Sequence, residues 1–325
     1  MQAFTLIQPP DIDAAVAAAA QDGTKYIAGG TDLLQLAKDY VETPARLIDL
    51  EPLPLSGISA DANTLRLEAM ARMSDVGEHP VVRSRWPVLS QALLASASPQ
   101  IRNMGTMGGN LLQRTRCGYF RDTGFNCNKR DPGSGCPAIN GENRMLAILG
   151  GSAHCIATHP SDFAVALVAL DAMVEVHGPN GTRRTLPIGE LHRLPGDTPH
   201  RETNLAPGEM IGAIVVPASA AAKRSHYLKV RDRSSFEFAL VSAAVAMELE
   251  DNTIRDIRVA AGGVGTKPWR LPEVEAALSG KALSPDALSD AAGLAGQGAQ
   301  PASQNAFKLT LLRRTVLRAL QTVSA

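Results

Sequence analysis

Near the start of the chain, apolar and polar positions follow first the period of a helix and then that of a strand. Residues 11–22 begin with acidic side chains, continue through alanines and stop before Gly23, which predicts a helix. The stretch KYIAGGTDLLQLAKDYV (25–41) predicts a strand, a glycine turn and a helix with Thr31 or Asp32 at its N-cap. Because Arg46–Leu50 reads as another short strand, the pattern predicts a βαβ unit.

A second block begins after Pro52 and Pro54, which mark a boundary. Its apolar pattern predicts an alternation of strands and helices over 64–70, 86–96, 161–172 and 210–216. The helix at 161–172 is expected to be N-capped by Ser161 or Asp162. A hairpin is predicted to turn at Asn180–Gly181.

A third block begins near Ala218. Three stretches of alternating character predict an antiparallel meander, whose last two strands are joined at Asp251–Asn252; they are 225–233, 240–252 and 253–264. Helical patterns then close the chain over 271–280, 284–296 and 303–323. The order is therefore α/β, then α/β with an interruption, then a sheet followed by helices.

Composition excludes several classes of protein. Of the 325 residues 45% are hydrophobic and 20% are charged, which is ordinary for a globular protein. Lysine and arginine together number 32, as do aspartate and glutamate, so we expect no nucleic-acid partner. No run approaches the roughly 18 apolar residues of a membrane span. MQAFTLIQPPDID lacks the basic start and apolar core of a secretion signal, so we expect no export signal on this chain itself.

Two glycine clusters are candidates for binding phosphate groups. AGGTD (28–32) stands between a strand and a helix, where backbone amides and the helix start suit a pyrophosphate. RNMGTMGGNLLQ (102–113) adds donors at Thr106, Gly109 and Asn110. Each cluster alone is equally compatible with a structural turn. Two of them in consecutive blocks favour an extended dinucleotide lying between the blocks.

All four cysteines lie in one Gly- and Pro-rich stretch, at Cys117, Cys127, Cys136 and Cys155. The spacing C-x9-C-x8-C-x18-C lacks the C-x2-4-C knuckles of structural zinc sites and the common ferredoxin spacings. The clustering favours a metal over disulfides or unrelated free thiols. Iron–sulfur and zinc remain open, because nearby cations such as Arg114, Arg116 and Arg121 suit either anionic centre. His154 and His159 flank Cys155, but with four thiols present a role outside the ligand set is favoured for them.

The motifs AGGTDLL, RNMGTMGGNLLQRTRC and ATHPSD together resemble the FAD-binding subunits of the molybdenum hydroxylases, the superfamily of xanthine and carbon monoxide dehydrogenases. CNKRDPGSGC and KVRDRSSFEFALVS are similar to the periplasmic aldehyde oxidoreductase members. The resemblance implies an α+β fold: a two-lobed FAD-binding domain of the vanillyl-alcohol-oxidase (PCMH) type, then a small domain like the C-terminal one of CO dehydrogenase flavoproteins. It implies lobe 1 at 1–54, lobe 2 at 55–217 with a [4Fe–4S] insert at 114–158, and the last domain at 218–325.

The resemblance also implies the cofactor contacts. An FAD would be bound by two groups of residues and two single side chains, namely Tyr26, Ile27, Ala28, Gly29, Gly30, Thr31, Asp32, Leu33 and Leu34; Thr106, Gly109 and Asn110; Asp162; and Lys229. No catalytic residue is certain, but Lys229 is a candidate for tuning the flavin. The four cysteines would hold a [4Fe–4S] cluster, as they do in the aldehyde oxidoreductase subunits.

By the same resemblance, the chain is expected to transfer electrons within a heterotrimer. A small subunit with two [2Fe–2S] clusters would deliver electrons from a large molybdopterin-binding subunit that oxidises an aldehyde, and FAD would pass them to an external acceptor. Location in the periplasm, through a twin-arginine signal on a partner, is expected, with the cytoplasm as the alternative. Another substrate (an N-heterocycle or CO) or a stand-alone flavoprotein oxidase are the competing functions, and a zinc-stabilised binding module is a third.

Overall fold

The computed structural model describes all 325 residues and contains three β-sheets that follow one another along the chain. They correspond to the three blocks predicted from the apolar pattern, and the mixture of parallel and antiparallel strands with helices is an α+β fold. None of the helices combines the length and apolar character needed to cross a membrane.

The first sheet is small and parallel, in the order β1-β3-β2. Its strands are β1 (Thr5–Ile7), β2 (Thr24–Ile27) and β3 (Arg46–Asp49). Helix α1 (Ile12–Ala19) begins after Asp11, whose side chain accepts a hydrogen bond from the Ala14 amide, and α2 (Leu33–Lys38) connects β2 to β3. Because β2 and β3 pair in parallel across α2, the predicted βαβ unit is confirmed.

The second sheet has five strands in the order β4-β5-β8-β6-β7, and all of its pairings are antiparallel. The strands are β4 (Ile58–Ala60), β5 (Thr64–Glu68), β6 (Met173–His177), β7 (Arg183–Pro187) and β8 (Met210–Pro217). The predicted hairpin is β6–β7, with Asn180 in the left-handed conformation that its turn requires. The interior of this lobe is apolar, and its helices supply most of the buried side chains.

Eight helices belong to the second block. They are α3 (Met73–Glu78), α4 (Pro80–Arg85), α5 (Pro87–Ala95), α6 (Pro99–Met104), α7 (Met107–Leu111), α8 (Gly118–Arg121), α9 (Asp162–Ala169) and α10 (Ile188–Leu191), and α11 (Ala220–Lys223) opens the third block. Helix α9 is buried along its whole length, and Ser161 is its N-cap, since its hydroxyl accepts from the Ala164 amide.

The third sheet is antiparallel, in the order β12-β11-β10-β9. Its strands are β9 (Ser225–Val230), β10 (Val241–Glu250), β11 (Thr253–Gly262) and β12 (Trp269–Arg270). The two-residue turn at Asp251–Asn252 is confirmed, and both of its residues have positive φ. Three helices pack on this sheet, namely α12 (Pro272–Leu278), α13 (Pro285–Gly293) and α14 (Phe307–Ser324).

Residues 114–158, which we call the cysteine insert, are mostly irregular. Their regular structure consists of α8 and one 3₁₀ turn at Pro137–Ile139. The two ends of the insert meet, because the Thr115 hydroxyl donates to the Thr158 carbonyl at 2.9 Å. Apolar residues of the insert share a core with Leu36 of α2 and Val41, so the insert packs directly on the helix that follows the first glycine turn.

Candidate functional site

A cavity of about 680 Å³ opens where the two lobes meet the start of the third block. This volume lies within the range of cofactor sites. The first lobe contributes the turn at 28–33, the second lobe contributes the turn at 105–110, and β9 contributes Lys229. The predicted arrangement, a cleft in contact with both glycine clusters, is therefore present.

Nearly all of the residues predicted to bind the cofactor line this cavity. They are Tyr26, Ala28, Gly29, Gly30, Thr31, Asp32, Leu33, Thr106, Gly109, Asn110, Asp162 and Lys229. Ile27 and Leu34 do not line it. Ile27 pairs with Asp49 in the first sheet, and Leu34 packs its side chain against Gly30. These two residues support the turn on the side that faces away from the cavity.

The first glycine turn exposes a row of unused amides to the cavity. None of the N–H groups from Ala28 to Leu33 donates a hydrogen bond within the protein. At Gly29 a Cβ atom would stand 1.9 Å from the Met104 carbonyl oxygen, and Gly30 has φ +69, so both positions require glycine. Unpaired amides at the start of a helix bind oxyanions, so this turn fits a diphosphate.

The second glycine turn is held more firmly. The Thr106 hydroxyl accepts from the Gly109 amide at 3.2 Å and caps α7. Asn110, which is 8% exposed, accepts at 2.5 Å from the hydroxyl of Ser161, the residue that caps α9. The turn therefore faces the cavity from a fixed position between two helix starts.

Asp162 and Lys229 form one buried ion pair at the cavity wall. Lys229 Nζ lies 2.8 Å from Asp162 Oδ2, and the two side chains are 4% and 6% exposed. The hydroxyls of Ser96 and Tyr227 also donate to this carboxylate, at 2.9 and 2.5 Å. Burial, and after it the Asp162 charge, raises the pKa of Tyr227 well above its usual range, so its hydroxyl stays a donor. Lys229 is thus a paired cation and not a free one.

Asp32 departs from its predicted role as an N-cap. It occupies the cap position of α2, but its side chain makes no capping hydrogen bond. The carboxylate instead accepts from the Arg114 amide at 2.8 Å and from Arg121 Nη2 at 2.6 Å, and Arg116 Nη2 lies 3.0 Å away. The correction has a physical reason: two guanidinium groups and one amide together are stronger partners for a carboxylate than the single backbone amide of a helix cap.

The residues around the cavity fit an FAD. The free amides at 28–33 suit its diphosphate, while apolar side chains elsewhere on the wall suit its ring systems. These side chains come from several elements and include Leu50, Met70, Met73, Ile101, Met210 and Ile211.

The four cysteines lie together in the insert and are unbonded to one another. All four belong to one apolar cluster with Phe120 and Ala157, and they line one small cavity. One backbone amide donates to a sulfur: that of Ala157 donates to Cys155 Sγ at 3.5 Å. Burial raises the pKa of Cys117 to about 11, so an isolated thiol here stays protonated.

This donor set is compatible with a four-iron cluster. Amide-to-sulfur hydrogen bonds and a dry apolar surround are features that tune iron–sulfur centres, and a bound metal deprotonates its thiols outright. No group of three or more His, Cys, Asp or Glu side chains is arranged to hold a single metal ion.

Several residues at the cavity were not found by sequence reasoning. Ser96 and Tyr227 complete the network around Asp162, and Tyr227 could have been inferred because it lies two positions before Lys229 on the same strand.

Phe236 and Phe238 are exposed at the rim, where the Arg116 guanidinium lies 4.8 Å from the Phe238 ring centroid. No local pattern marks these rim contacts.

Two protein-family descriptions match the chain. The FAD binding domain in molybdopterin dehydrogenase matches residues 2–219, and the CO dehydrogenase flavoprotein C-terminal domain matches residues 226–323. These matches, together with the structural similarity below, confirm the fold class that the sequence motifs implied.

The chain is similar over its whole length to known flavoprotein subunits. It is 47% identical over 324 residues, 98% of each chain, to the aldehyde oxidoreductase FAD-binding subunit PaoB of Escherichia coli (strain K12). It is 29% identical to the carbon monoxide dehydrogenase medium chain of Hydrogenophaga pseudoflava, over 98% of this chain and 96% of that one. A solved structure of the H. pseudoflava carbon monoxide dehydrogenase superposes with a TM-score of 0.77 at 28% identity, over 99% of this chain and 97% of that one.

Proposed function

The chain belongs to the FAD-binding subunits of the molybdenum hydroxylases, and from this premise we propose that it carries electrons through FAD in an aldehyde oxidoreductase of three different subunits. In this proposal a large molybdopterin-binding subunit oxidises the aldehyde, and a small subunit with two [2Fe–2S] clusters delivers the electrons. The 47% identity to a subunit named for aldehyde oxidation favours this substrate class over an N-heterocycle or CO.

The observation that carries the proposal is the row of free amides at 28–33 in a cavity lined by both lobes. FAD, when bound, accepts electrons singly and releases them in pairs. The chain's own residues hold the cofactor and set the charge around it. The amides bind the diphosphate, Thr106 and Asn110 fix the second turn, and apolar side chains exclude water from the rings.

Asp162 and Lys229 would face the ring system. Asp162 is oriented by three donors, from Ser96, Tyr227 and Lys229, and its charge in turn holds the lysine ammonium at the cavity wall. A cation at this wall would make electron uptake by the flavin more favourable, and the paired carboxylate would offset part of that effect. Lys229 therefore tunes the flavin as half of a pair.

We further propose that Cys117, Cys127, Cys136 and Cys155 hold a [4Fe–4S] cluster in the insert. Four buried or half-buried sulfurs that line one small apolar cavity, with the Ala157 amide donating to Cys155 Sγ, support this assignment. This assignment competes with the zinc-stabilised module, because the same four thiolates cannot hold both kinds of metal centre.

A spectrum and a metal analysis of the full-length protein, isolated without oxygen, test both cofactors. The expected result is flavin absorption bands over a broad iron–sulfur shoulder, with iron and sulfide but no zinc. Aldehyde added to the isolated complex should bleach the flavin bands. Flavin bands without iron would refute the cluster alone, and a protein that binds no flavin would refute the proposed function.

Whether the cluster relays electrons is a separate question, which Cys127→Ser addresses. If the cluster is a relay, turnover at saturating FAD falls when the cluster is lost. Unchanged turnover with flavin fully bound would instead make the cluster a structural element. The periplasm is the proposed location, through an export signal on a partner, and fractionation of cells that produce the whole complex checks it.

A further inference from the structure

The carboxylate of Asp32 lies inside the first glycine turn, and all of its hydrogen-bond and ion-pair partners come from the start of the cysteine insert. Its partners are the amide of Arg114 and the guanidinium groups of Arg116 and Arg121, at 2.8, 3.0 and 2.6 Å. Arg114 and Arg121 lie 82 and 89 positions away in the sequence. The turn that offers free amides to the cavity is therefore tied to the insert by ion pairs.

The placement of a carboxylate beside a diphosphate site has to be explained, because its charge alone would repel the phosphates. The surrounding charges supply the reason. Three carboxylates, on Asp32, Glu42 and Glu202, face five cations, and two positive charges are left over; the cations are Lys25, Arg114, Arg116, Arg121 and Lys129. Asp32 contributes one negative charge but holds the two positive charges of Arg116 and Arg121 beside the turn.

The region around Asp32 is connected to the cysteines through helix α8 and through apolar packing. Cys117 stands immediately before α8, and Arg121 is the last residue of that helix. Phe120, between them, is fully buried in one apolar cluster with Cys117 and with Leu36 of α2. A change in the position of Cys117 therefore reaches the glycine turn by two routes, through the Arg121–Asp32 pair and through the packing on α2.

We propose that the occupancy of the cysteine site and the affinity of the glycine turn for FAD are thermodynamically linked, with Asp32 as the positioning residue that joins them. The identity of the two bound groups rests on the proposed function. With a cluster bound, the insert is ordered, its arginines hold Asp32, and the amides of 28–33 keep their orientation. By linkage, bound FAD must stabilise the insert to the same extent.

The test uses deflavinated full-length protein, titrated with FAD while flavin fluorescence is followed. Cys136→Ser removes one sulfur at the least buried of the four positions, and Asp32→Asn removes the bridge. Each variant is expected to weaken FAD binding by between about 5- and 150-fold. Asp39→Asn is the matched control, because Asp39 ends the same helix, is exposed and has no ionic partner; we expect it to leave FAD affinity unchanged.

The direction of the Asp32→Asn effect separates linkage from simple electrostatics. Removal of one negative charge beside the diphosphate would by itself strengthen FAD binding. Linkage predicts that Asp32→Asn weakens FAD binding. It also predicts that the double variant, Asp32→Asn with Cys136→Ser, binds FAD no more weakly than the single variant that has the lower FAD affinity. Two outcomes would overturn the proposal. One is a double variant whose fold-loss in FAD affinity equals the product of the two single losses to within about twofold, and the other is tighter FAD binding by Asp32→Asn.

A second measurement needs no cysteine variant. Iron release to an excess of a ferrous chelator is expected to be several-fold slower in wild-type protein with FAD than without it, and FAD should give no protection to Asp32→Asn. Equal release rates in the wild type would overturn the linkage while the proposed function stands. Wild-type protein that binds FAD but holds no iron would refute the proposed cluster and the linkage with it.

Discussion

At its N-terminal end the cysteine insert meets the first glycine turn through partly exposed charges, whereas at its C-terminal end it meets the last domain through buried hydrogen bonds. The side chains of Asp32, Arg116 and Arg121 at the first contact are 16 to 25% exposed. At the second contact Asn143, Asn305 and Lys308 are 0% exposed. The insert is thus attached by two contacts of different chemistry.

The C-terminal contact is built from side chains that donate to backbone carbonyls. Lys308 Nζ donates to the carbonyls of Met145, Leu146 and Gly263 at 2.9, 3.0 and 2.7 Å. The side-chain amide of Asn305 donates to the carbonyls of Asn143, Leu146 and Ala147, of which the Leu146 carbonyl is shared with Lys308. Charges near solvent and near the FAD site can respond to a ligand, whereas a buried network of hydrogen bonds holds one geometry.

The largest expected effect is at the buried contact. Lys308→Met would leave the carbonyls of Met145, Leu146 and Gly263 without the ammonium or amine group that donates to all three, and we expect it to lower the free energy of unfolding by about 3–6 kcal/mol. Urea unfolding of the full-length protein measures this loss. Lys281→Met, at an exposed lysine whose side chain makes no hydrogen bond or ion pair, is the control and should change stability little. A loss below about 1 kcal/mol for Lys308→Met would contradict the proposed weight of this contact.

The Lys229–Asp162 pair combines the charge of the first contact with the burial of the second. Lys229→Met would leave Asp162 buried and unpaired, and we expect a loss of about 3–5 kcal/mol. Lys229→Met combined with Asp162→Asn should recover part of this loss, because no unpaired charge then remains. Thermal or urea unfolding of the three variants measures the difference. A double variant less stable than Lys229→Met would show that packing, not charge, dominates the pair.

Between the two contacts, where the insert leaves and rejoins the second lobe, two imidazole rings lie side by side with their planes tilted by 58°. The rings of His159 and His192 are 4.1 Å apart, and His192 Nε2 donates to the Leu111 carbonyl at 2.8 Å, which leaves its buried Nδ1 unprotonated and unpaired. Burial lowers the pKa of His192 to about 4 and lowers that of His159 well below its usual value.

The pH dependence of folding follows from these two pKa values. The unfolded chain takes up a proton at His192 below about pH 6.5 and the folded chain only near pH 4, so stability falls as pH falls through that window. His192 alone accounts for at most about 3 kcal/mol. Unfolding free energies measured from pH 7 to 4 should show a shallower slope for His192→Gln, which keeps a donor for Leu111. An unchanged slope would show that other groups cause the acid sensitivity.

Much of the fold was predictable from the sequence because its elements are local. The βαβ unit, the hairpin at Asn180–Gly181 and the turn at Asp251–Asn252 each follow from side chains within a few residues of one another. The contacts that hold the insert join positions 82 to 163 residues apart, such as Arg114 with Asp32 and Lys308 with Met145. No periodicity encodes such pairs, so the cap prediction for Asp32 named the right position but the wrong partner.

The smallest expected effect distinguishes the two contacts most directly. Arg121→Gln removes one charged partner of Asp32 but leaves Arg116 and the Arg114 amide, so we expect a loss of only about 1 kcal/mol at low salt. Because the Debye length falls from about 10 Å at 0.1 M salt to about 3 Å at 1 M, this loss should shrink as sodium chloride is added. The loss caused by Lys308→Met should not shrink, since its partners are uncharged carbonyls. Urea unfolding of both variants at two salt concentrations, with Arg83→Gln as an exposed and unpaired control, measures the contrast. If salt reduced the Lys308→Met loss and left the Arg121→Gln loss unchanged, the assignment of charge to one end of the insert and buried hydrogen bonding to the other would be wrong.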